Sequence, residues 1–290
     1  MPGALENKVI VVIGGTSGIG LSAAKAFIAA GARVVALGRD QETSTEAEKV
    51  LAGNGLVITA DATDPKAPVA AINVALGNFK RFDGLYHVAG GSGRKKGDGP
   101  LHEVSNDGWE YTVTLNLNSV FYSNRAAAQQ FLRQNSGGSI LNLSSVLAAS
   151  PSAHFFATHA YSAAKAAIVG LSKASAAYYA STNIRFNVLA AGLVATPMSQ
   201  RAQSDPAIMQ FIASKQPLDG GRMAAPADLD AAAVYFMSDA SRFVTGQVLA
   251  IDGGWELSDG QIPTERPRQP QAKQPNLIRT LAGIWNRLKS

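Results

Sequence analysis

Apolar residues are distributed along this chain in two alternating textures. Short runs at KVIVVI (8–13), RVVAL (33–37), GLVIT (55–59), GLYHV (84–88), SILNL (139–143), IRFNVL (184–189) and QVLAI (247–251) are mostly apolar and rich in β-branched residues. A strand with one wet face alternates apolar and polar positions, so runs with little alternation predict strands buried on both faces. Longer alanine-rich stretches of helical character fit between most of these runs. The repeated order strand, helix, strand predicts βαβ units and an α/β fold, a parallel sheet of about seven strands with helices over both faces. Such sheets bind ligands beyond the carboxyl ends of their strands.

The pattern changes near residue 258. The segment SDGQIPTERPRQPQAKQP is rich in Pro and Gln and predicts an extended linker over 259–275. The stretch 276–290, NLIRTLAGIWNRLKS, is periodic: at ~100° per residue Leu277, Ile278, Leu281, Ile284, Trp285 and Leu288 form one stripe, with Arg279, Asn286 and Arg287 opposite. A helix of this kind has to bury its stripe. It would do so on its own body or a neighbouring subunit, or as a peripheral anchor on an anionic membrane or a partner, where its basic flank would help. The expected organisation is one domain over 1–258, this linker, and a basic amphipathic helix.

Composition and charge narrow the picture. A chain of 290 residues with 46% hydrophobic and 16% charged residues can bury a large single core. It has no cysteine, which removes disulfides, thiolate nucleophiles and thiolate metal sites, and no metal is expected. The net charge of +5 belongs to the tail: six of the twenty-six bases and one of the twenty-one acids follow residue 260, leaving twenty of each sign before it. A neutral body argues against nucleic-acid binding, which needs a basic face. MPGALENKVIVVIGG carries no basic leader ahead of an apolar segment, and no apolar run approaches membrane-spanning length, so a cytoplasmic location is expected.

The chemistry-bearing residues gather at the strand ends. The first run passes into Gly14, Gly15, Gly18 and Gly20 and then into a helix, which lets backbone approach a pyrophosphate with helix N–H groups aimed at it. The second run ends in VVALGRD. Gly38 stands where an acid would bind an adenosine ribose 2′-hydroxyl, and Arg39 suits a 2′-phosphate, so NADP is favoured. Asp40 keeps NAD in view, and a solvated charge is the plain alternative for Arg39. Past the third run, Asp61 in TADATD would reach an adenine amino group or cap a helix. In HAYSAAKAAIVG, Tyr161 and Lys165 share one helical face.

Gly14-x-x-x-Gly18-Ile19-Gly20, Asn116 in TLNLNS, Ser145 in LNLSS, Tyr161-x-x-x-Lys165 and the closing IDGG (251–254) stand in the order and spacing of the short-chain dehydrogenase/reductase family. The resemblance covers roughly residues 5–257. It implies a doubly wound, Rossmann-like single domain, a nicotinamide cofactor, and hydride exchange between alcohols and carbonyls. By resemblance Tyr161 is the general acid or base, and Lys165 binds the nicotinamide ribose and, with the charged nicotinamide, lowers the phenol pKa toward working pH. Ser145 would bind the substrate oxygen, and Asn116 would position a water relaying protons to Lys165. The implied cofactor contacts are Gly14, Thr16, Ser17, Gly18, Ile19, Gly20, Arg39, Asp61, Ala62, Ala89, Gly90, Tyr161, Lys165, Gly192, Val194 and Thr196. Singly, each member of the tetrad has a plainer reading: an exposed helix pair, a strand-end serine, a capping asparagine.

The implied substrate is a small-molecule ketone or aldehyde, or its alcohol, with a 3-oxoacyl thioester as an option. A homo-oligomer, tetramer or dimer, is implied through the helices around 107–133 and 159–180. A non-catalytic NADP-binding sensor and a nucleotide-sugar epimerase or dehydratase are the competing classes. The chain departs from the family pattern at several positions. Ala191 replaces a proline, His87 and Val88 replace two asparagines, Ile13 a threonine and Ser119 a glycine. His87 is read as a structural strand-end residue. His154, Phe155, Phe156 and His159 either line an aromatic pocket or meet a neighbouring subunit. The stretch from Pro197 to about Lys215 resembles a substrate lid. Arg94, Lys95 and Lys96, in a glycine-rich loop, read as a solvated run or as suited to an anionic substrate.

Overall fold

Every predicted run forms a strand, and in the interior strands alternate side chains enter different cores, whereas Val248 and Leu249 of the last strand are exposed. The computed structural model describes residues 3–261, with strands β1 (Val9–Ile13), β2 (Arg33–Gly38), β3 (Gly55–Thr59), β4 (Gly84–His87), β5 (Gly138–Ser145), β6 (Ile184–Ala191) and β7 (Val248–Ile251). All pair in parallel, in the order β3-β2-β1-β4-β5-β6-β7. From β1, Ile10 and Val12 join one core with Phe27, Tyr86, Leu141 and Leu189, while Val9, Val11 and Ile13 join the other with Leu85, Phe131, Ile140 and Phe186. That is why the runs lack polar alternation: both faces are covered. β5 and β6 run two residues beyond their apolar patterns, pairing Ser144 with Ala190 and Ser145 with Ala191.

The helices are α1 (Gly18–Ala29), α2 (Gln41–Leu51), α3 (Ala67–Phe79), α4 (Asn106–Val113), α5 (Ser119–Gln134), α6 (His159–Tyr179), α7 (Gln200–Gln203), α8 (Pro206–Lys215) and α9 (Asp230–Met237). α4 and α5 are joined through a π turn, Thr114–Asn118, so the stretch expected as one helix over 107–133 carries an extra residue in its middle. Trp109, Phe121 and Leu132 on this stretch are exposed. Strand order reverses at β1, with β2 on one side and β4 on the other, so the following loops diverge and open a crevice.

Residues 3–260 form one compact body. The predicted helix over 276–290 and the linker from residue 262 onward lie outside the described residues. Among the described residues no helix is long and apolar enough to cross a membrane.

Two of the sequence departures meet in the interior. His87 is 1% exposed; its Nδ1 lies 2.7 Å from Ser123 Oγ and its Nε2 lies 3.1 Å from the Ala89 carbonyl and 3.4 Å from Ser119 Oγ. A neutral ring with hydrogen on Nε2 satisfies all three: it donates to Ala89 and Ser119 and accepts from Ser123. Burial, with the Lys165 charge adding to it, pushes the His87 pKa down to about 3. His87 is thus a structural strand-end residue, as read from the sequence. Because its folded pKa is depressed below the ordinary value, its contribution to stability is complete above pH ~6.5 and is lost as pH falls toward about 3. Urea unfolding of wild type between pH 6 and 4 should lose stability faster than His87→Asn, by up to about 1.4 kcal/mol per pH unit. Equal slopes would mean that the imidazole titrates as if exposed.

Candidate active site

Close backbone approach shapes the cofactor side of the crevice. Gly14 has φ +85°, and a Cβ built on it would lie 2.6 Å from the Ala89 nitrogen. A Cβ on Gly20 would lie 2.0 Å from the Gly14 carbonyl oxygen. Side chains at either position would force the β1–α1 turn away from β4 or from its own helix. Ser17 precedes α1 without a side-chain cap, and no acid stands in the first turn, so the helix start keeps N–H groups for a ligand.

This turn forms one wall of a cavity of about 460 Å³. The cavity is also lined by Thr16, Ser17, Gly18, Ile19, Arg39, Asp61, Ala62, Ala89, Gly90, Ser145, Tyr161, Lys165, Gly192, Val194 and Thr196, all expected in the site. Two expected residues do not line it. Gly20 lies beneath the turn. Asn116 is fully buried in the π turn, accepting from Gly91 N at 3.0 Å and donating to the carbonyls of Gly91 and Thr112, each at 2.9 Å. Both amide hydrogens are thus engaged with backbone, and the side chain pins the loop after β4.

The adenosine end can be read from its carboxylates. A side chain at Gly38 would run into Thr16, 1.9 Å from its hydroxyl, so β2 ends without an acid. Asp40 caps α2, accepting from Thr43 N at 2.9 Å. Asp61 Oδ1 accepts from the backbone N and hydroxyl of Thr63, each at 2.8 Å, so it closes a turn rather than capping α3, which starts after Lys66, and the residue lines the cavity. Arg39 is exposed on the cavity wall.

At the other end Lys165 is 3% exposed, donates from Nζ to the Leu143 carbonyl at 2.9 Å, and lies 5.5 Å from the Tyr161 ring centroid. Ser144 Oγ donates to the Lys165 carbonyl at 2.8 Å, so α6 is fastened to the end of β5 from both sides. Burial lowers the Lys165 pKa to about 8. Burial raises Tyr161 to about 12, with the Ser145 hydroxyl acting weakly in the other direction. The lowering expected of the phenol rests on the ammonium together with a charged nicotinamide; within the protein alone, desolvation of the phenolate dominates.

Other supports had no local signal in the sequence. Asp98 is 6% exposed and receives Ala160 N at 3.0 Å and Tyr161 N at 3.1 Å, capping α6 from a loop far away in sequence. Gln216, 1% exposed, accepts from Leu193 N at 2.5 Å, and Ala224 N donates to the Leu193 carbonyl at 3.0 Å. These contacts hold the loop at Ala191, where a proline was missing.

The aromatic segment divides. Phe156 lines the cavity and packs with Phe211 and Trp255, whereas Phe155 packs on Phe211 behind it. His154 and His159 do not line it; His159 Nδ1 lies 2.9 Å from the Gly99 carbonyl. Trp255, missed in the sequence though it directly follows IDGG, is 2% exposed and faces the cavity.

A protein-family model described as enoyl-(acyl carrier protein) reductase matches residues 14–256. The chain is 31% identical over 252 residues to a 2-dehydro-3-deoxy-D-gluconate 5-dehydrogenase of Dickeya dadantii (strain 3937), covering 87% of this chain and 96% of the relative. It is 33% identical over 255 residues to a cis-4-hydroxycyclohexanecarboxylate dehydrogenase of Sinomonas cyclohexanicum, covering 87% and 98%. A solved short-chain type dehydrogenase/reductase from Mycobacterium ulcerans superposes with a TM-score of 0.79 at 30% identity, over 88% of this chain and 91% of that one.

The Asp98 contacts define a test. Asp98→Ala leaves the first N–H groups of α6 without their carboxylate and should cost about 0.5–2 kcal/mol of stability. Denaturant unfolding measures the loss. Asp98→Asn, which keeps an acceptor, should recover part of it; identical losses for the two variants would show that the acceptor oxygens contribute nothing.

Proposed function

The chain belongs to the short-chain dehydrogenase/reductase family, and from that premise we propose that it is an NADP-dependent oxidoreductase exchanging hydride with a small-molecule carbonyl or alcohol, in the reducing direction a ketone or aldehyde reductase. The observation that carries this reading is the convergence of Ser145, Tyr161 and Lys165 on a cavity whose other wall is the glycine turn at the start of α1.

The residues present fit a dinucleotide. Gly14 and Gly18 leave the cradle free of side chains, and the uncapped start of α1 suits a pyrophosphate. Arg39 would meet a 2′-phosphate, while Asp40, the nearest acid on the same wall, spends Oδ1 on the cap of α2. Gly192, Val194 and Thr196 would flank the nicotinamide, and Lys165 would hold its ribose. When bound, the nicotinamide supplies or accepts the hydride.

Tyr161 then handles the proton. With its pKa raised to about 12 the phenol is neutral at working pH, the state that donates to a carbonyl oxygen as negative charge develops there. Ser145 donates a second hydrogen bond to that oxygen, from a hydroxyl fixed at the end of β5. In the oxidising direction the phenol must lose its proton, which requires positive charge beside it; the Lys165 ammonium supplies part of that charge.

Two substitutions check the reading. Tyr161→Phe should bind NADPH with nearly unchanged affinity while turnover falls by about a hundredfold or more, the usual contribution of a positioned acid. Steady-state kinetics and a cofactor titration separate the two effects, and wild-type turnover in the variant would remove Tyr161 from the mechanism. Arg39→Asp removes the phosphate partner and adds a ribose acceptor. The ratio of kcat/KM with NADPH to that with NADH should fall; an unmoved ratio would point to another determinant of cofactor choice.

A further inference from the structure

Two arginines face the substrate end of the cavity, and neither is in direct contact with a carboxylate among the described residues. Arg94 lies in the turn Arg94–Lys96 after β4, and Arg201 lies on α7; both line the same cavity as Ser145 and Tyr161. Both guanidinium groups donate to one oxygen, the Phe155 carbonyl, at 3.1 Å from Arg94 and 2.9 Å from Arg201. A peptide carbonyl carries no net charge, so it holds the two cations together and neutralises neither. Among the described residues neither arginine forms an ion pair. The acid that acts on Arg94 is Asp98, which offsets part of its charge without touching it, both Asp98 oxygens receiving N–H groups of α6. The Arg94 pKa is lowered first by burial and then by Arg201, the mark of two like charges held close in a half-buried place.

The remaining geometry favours a planar anion. Each guanidinium has five N–H donors and uses a single nitrogen on Phe155, leaving the rest of its fork available. Arg201 also lies 5.8 Å from the centroid of the Phe156 ring, which lines the cavity beside it. Lys95 and Lys96, grouped with Arg94 in the sequence, are exposed and do not line the cavity. The basic loop therefore contributes one charge to the cavity, and the lid contributes the second.

We propose that Arg94 and Arg201 form an oxyanion subsite at the substrate end of the cavity, and that preferred substrates are carbonyl or hydroxy compounds bearing a carboxylate. The proposal rests on the oxidoreductase reading of the same cavity. Arg94 and Arg201 grip the carboxylate, and the compact apolar body of the substrate lies against Phe156, Met198 and Trp255, with its carbonyl at Ser145 and Tyr161.

The test uses the full chain with NADPH and NADH, and two ketone pairs: levulinate and 4-acetylbenzoate, each against its methyl ester. Wild type should favour the acids in kcat/KM. In Arg94→Met and Arg201→Met the acid-to-ester ratio should fall by about tenfold or more, chiefly through KM, since a lost charge-assisted bond has about that effect. Arg201→Lys should restore part of the ratio. If Arg94→Met does not fold, Arg201→Met, at an exposed position, carries the measurement alone. A ratio that stays constant while both rates fall would assign the arginines a structural role through Phe155, and a constant ratio with weakened NADPH binding would assign them to the cofactor phosphates. Either result overturns the proposal. Turnover of esters in preference to acids overturns the anion subsite and leaves the oxidoreductase reading standing. No cofactor-linked turnover of any of the four ketones, or of their alcohols, overturns that reading and the subsite with it.

Discussion

A charged amine with almost no surface exposed must be answered by the atoms around it, and the active cavity is organised around that requirement at Lys165. Its ammonium is held by the Leu143 carbonyl and sits beside the Tyr161 ring. The contact is possible only because β5 delivers a carbonyl at the right height and α6 is pressed against it by the Ser144 bond to the Lys165 carbonyl. It also requires an empty position opposite: a Cβ on Gly90 would lie 2.7 Å from Asn116 Oδ1 and 3.4 Å from Lys165 Nζ. The loop after β4, the π turn and the start of α6 are thus fitted around one buried cation, and Ser145 and Tyr161 take their places from the same strand end and the same helix.

The electrostatics of the two ends differ in kind. At the adenosine end, the carboxylates of Asp40 and Asp61 each spend Oδ1 on backbone N–H groups, and Arg39 is the positive charge beside them on that wall. At the catalytic end, desolvation sets the protonation states. The phenol stays protonated at working pH, and the ammonium gives up its proton more readily than it would in water. A positive ligand beside Tyr161 would oppose that desolvation.

The seven strands were legible because burial on both faces leaves an unbroken apolar run. The last residues of β5 and β6 were not, because Ser144, Ser145, Ala190 and Ala191 have small side chains with no strand signature, and the ladder alone continues them. The cavity-lining residues were legible where glycine spacing or a helical repeat carries them, as at Gly14, Gly18, Tyr161 and Lys165. Asp98 and Gln216 act across 62 and 23 residues of chain, and no local pattern announces a contact of that range. Arg201 was hidden for the same reason: its meaning depends on Arg94, which reaches Phe155 from another loop. The burial that raises the Tyr161 phenol was not legible, because the adjacency of a lysine is visible in sequence while depth is not.

The π turn at Thr114–Asn118 has a bearing on how this chain can change over evolutionary time. A π turn holds one residue more than the α-helix it interrupts, so it cannot be removed by substitution alone. Excising a residue there would restore a regular ladder and leave α4 and α5 in phase, whereas excising one from α4 or α5 would rotate the rest of the helix by about 100°. What the excision would take away is the widened turn that holds Asn116 on the backbone of Gly91 and Thr112. The bulge is therefore the one place in this stretch where chain length can change by a residue without turning either helix, at the cost of the loop after β4.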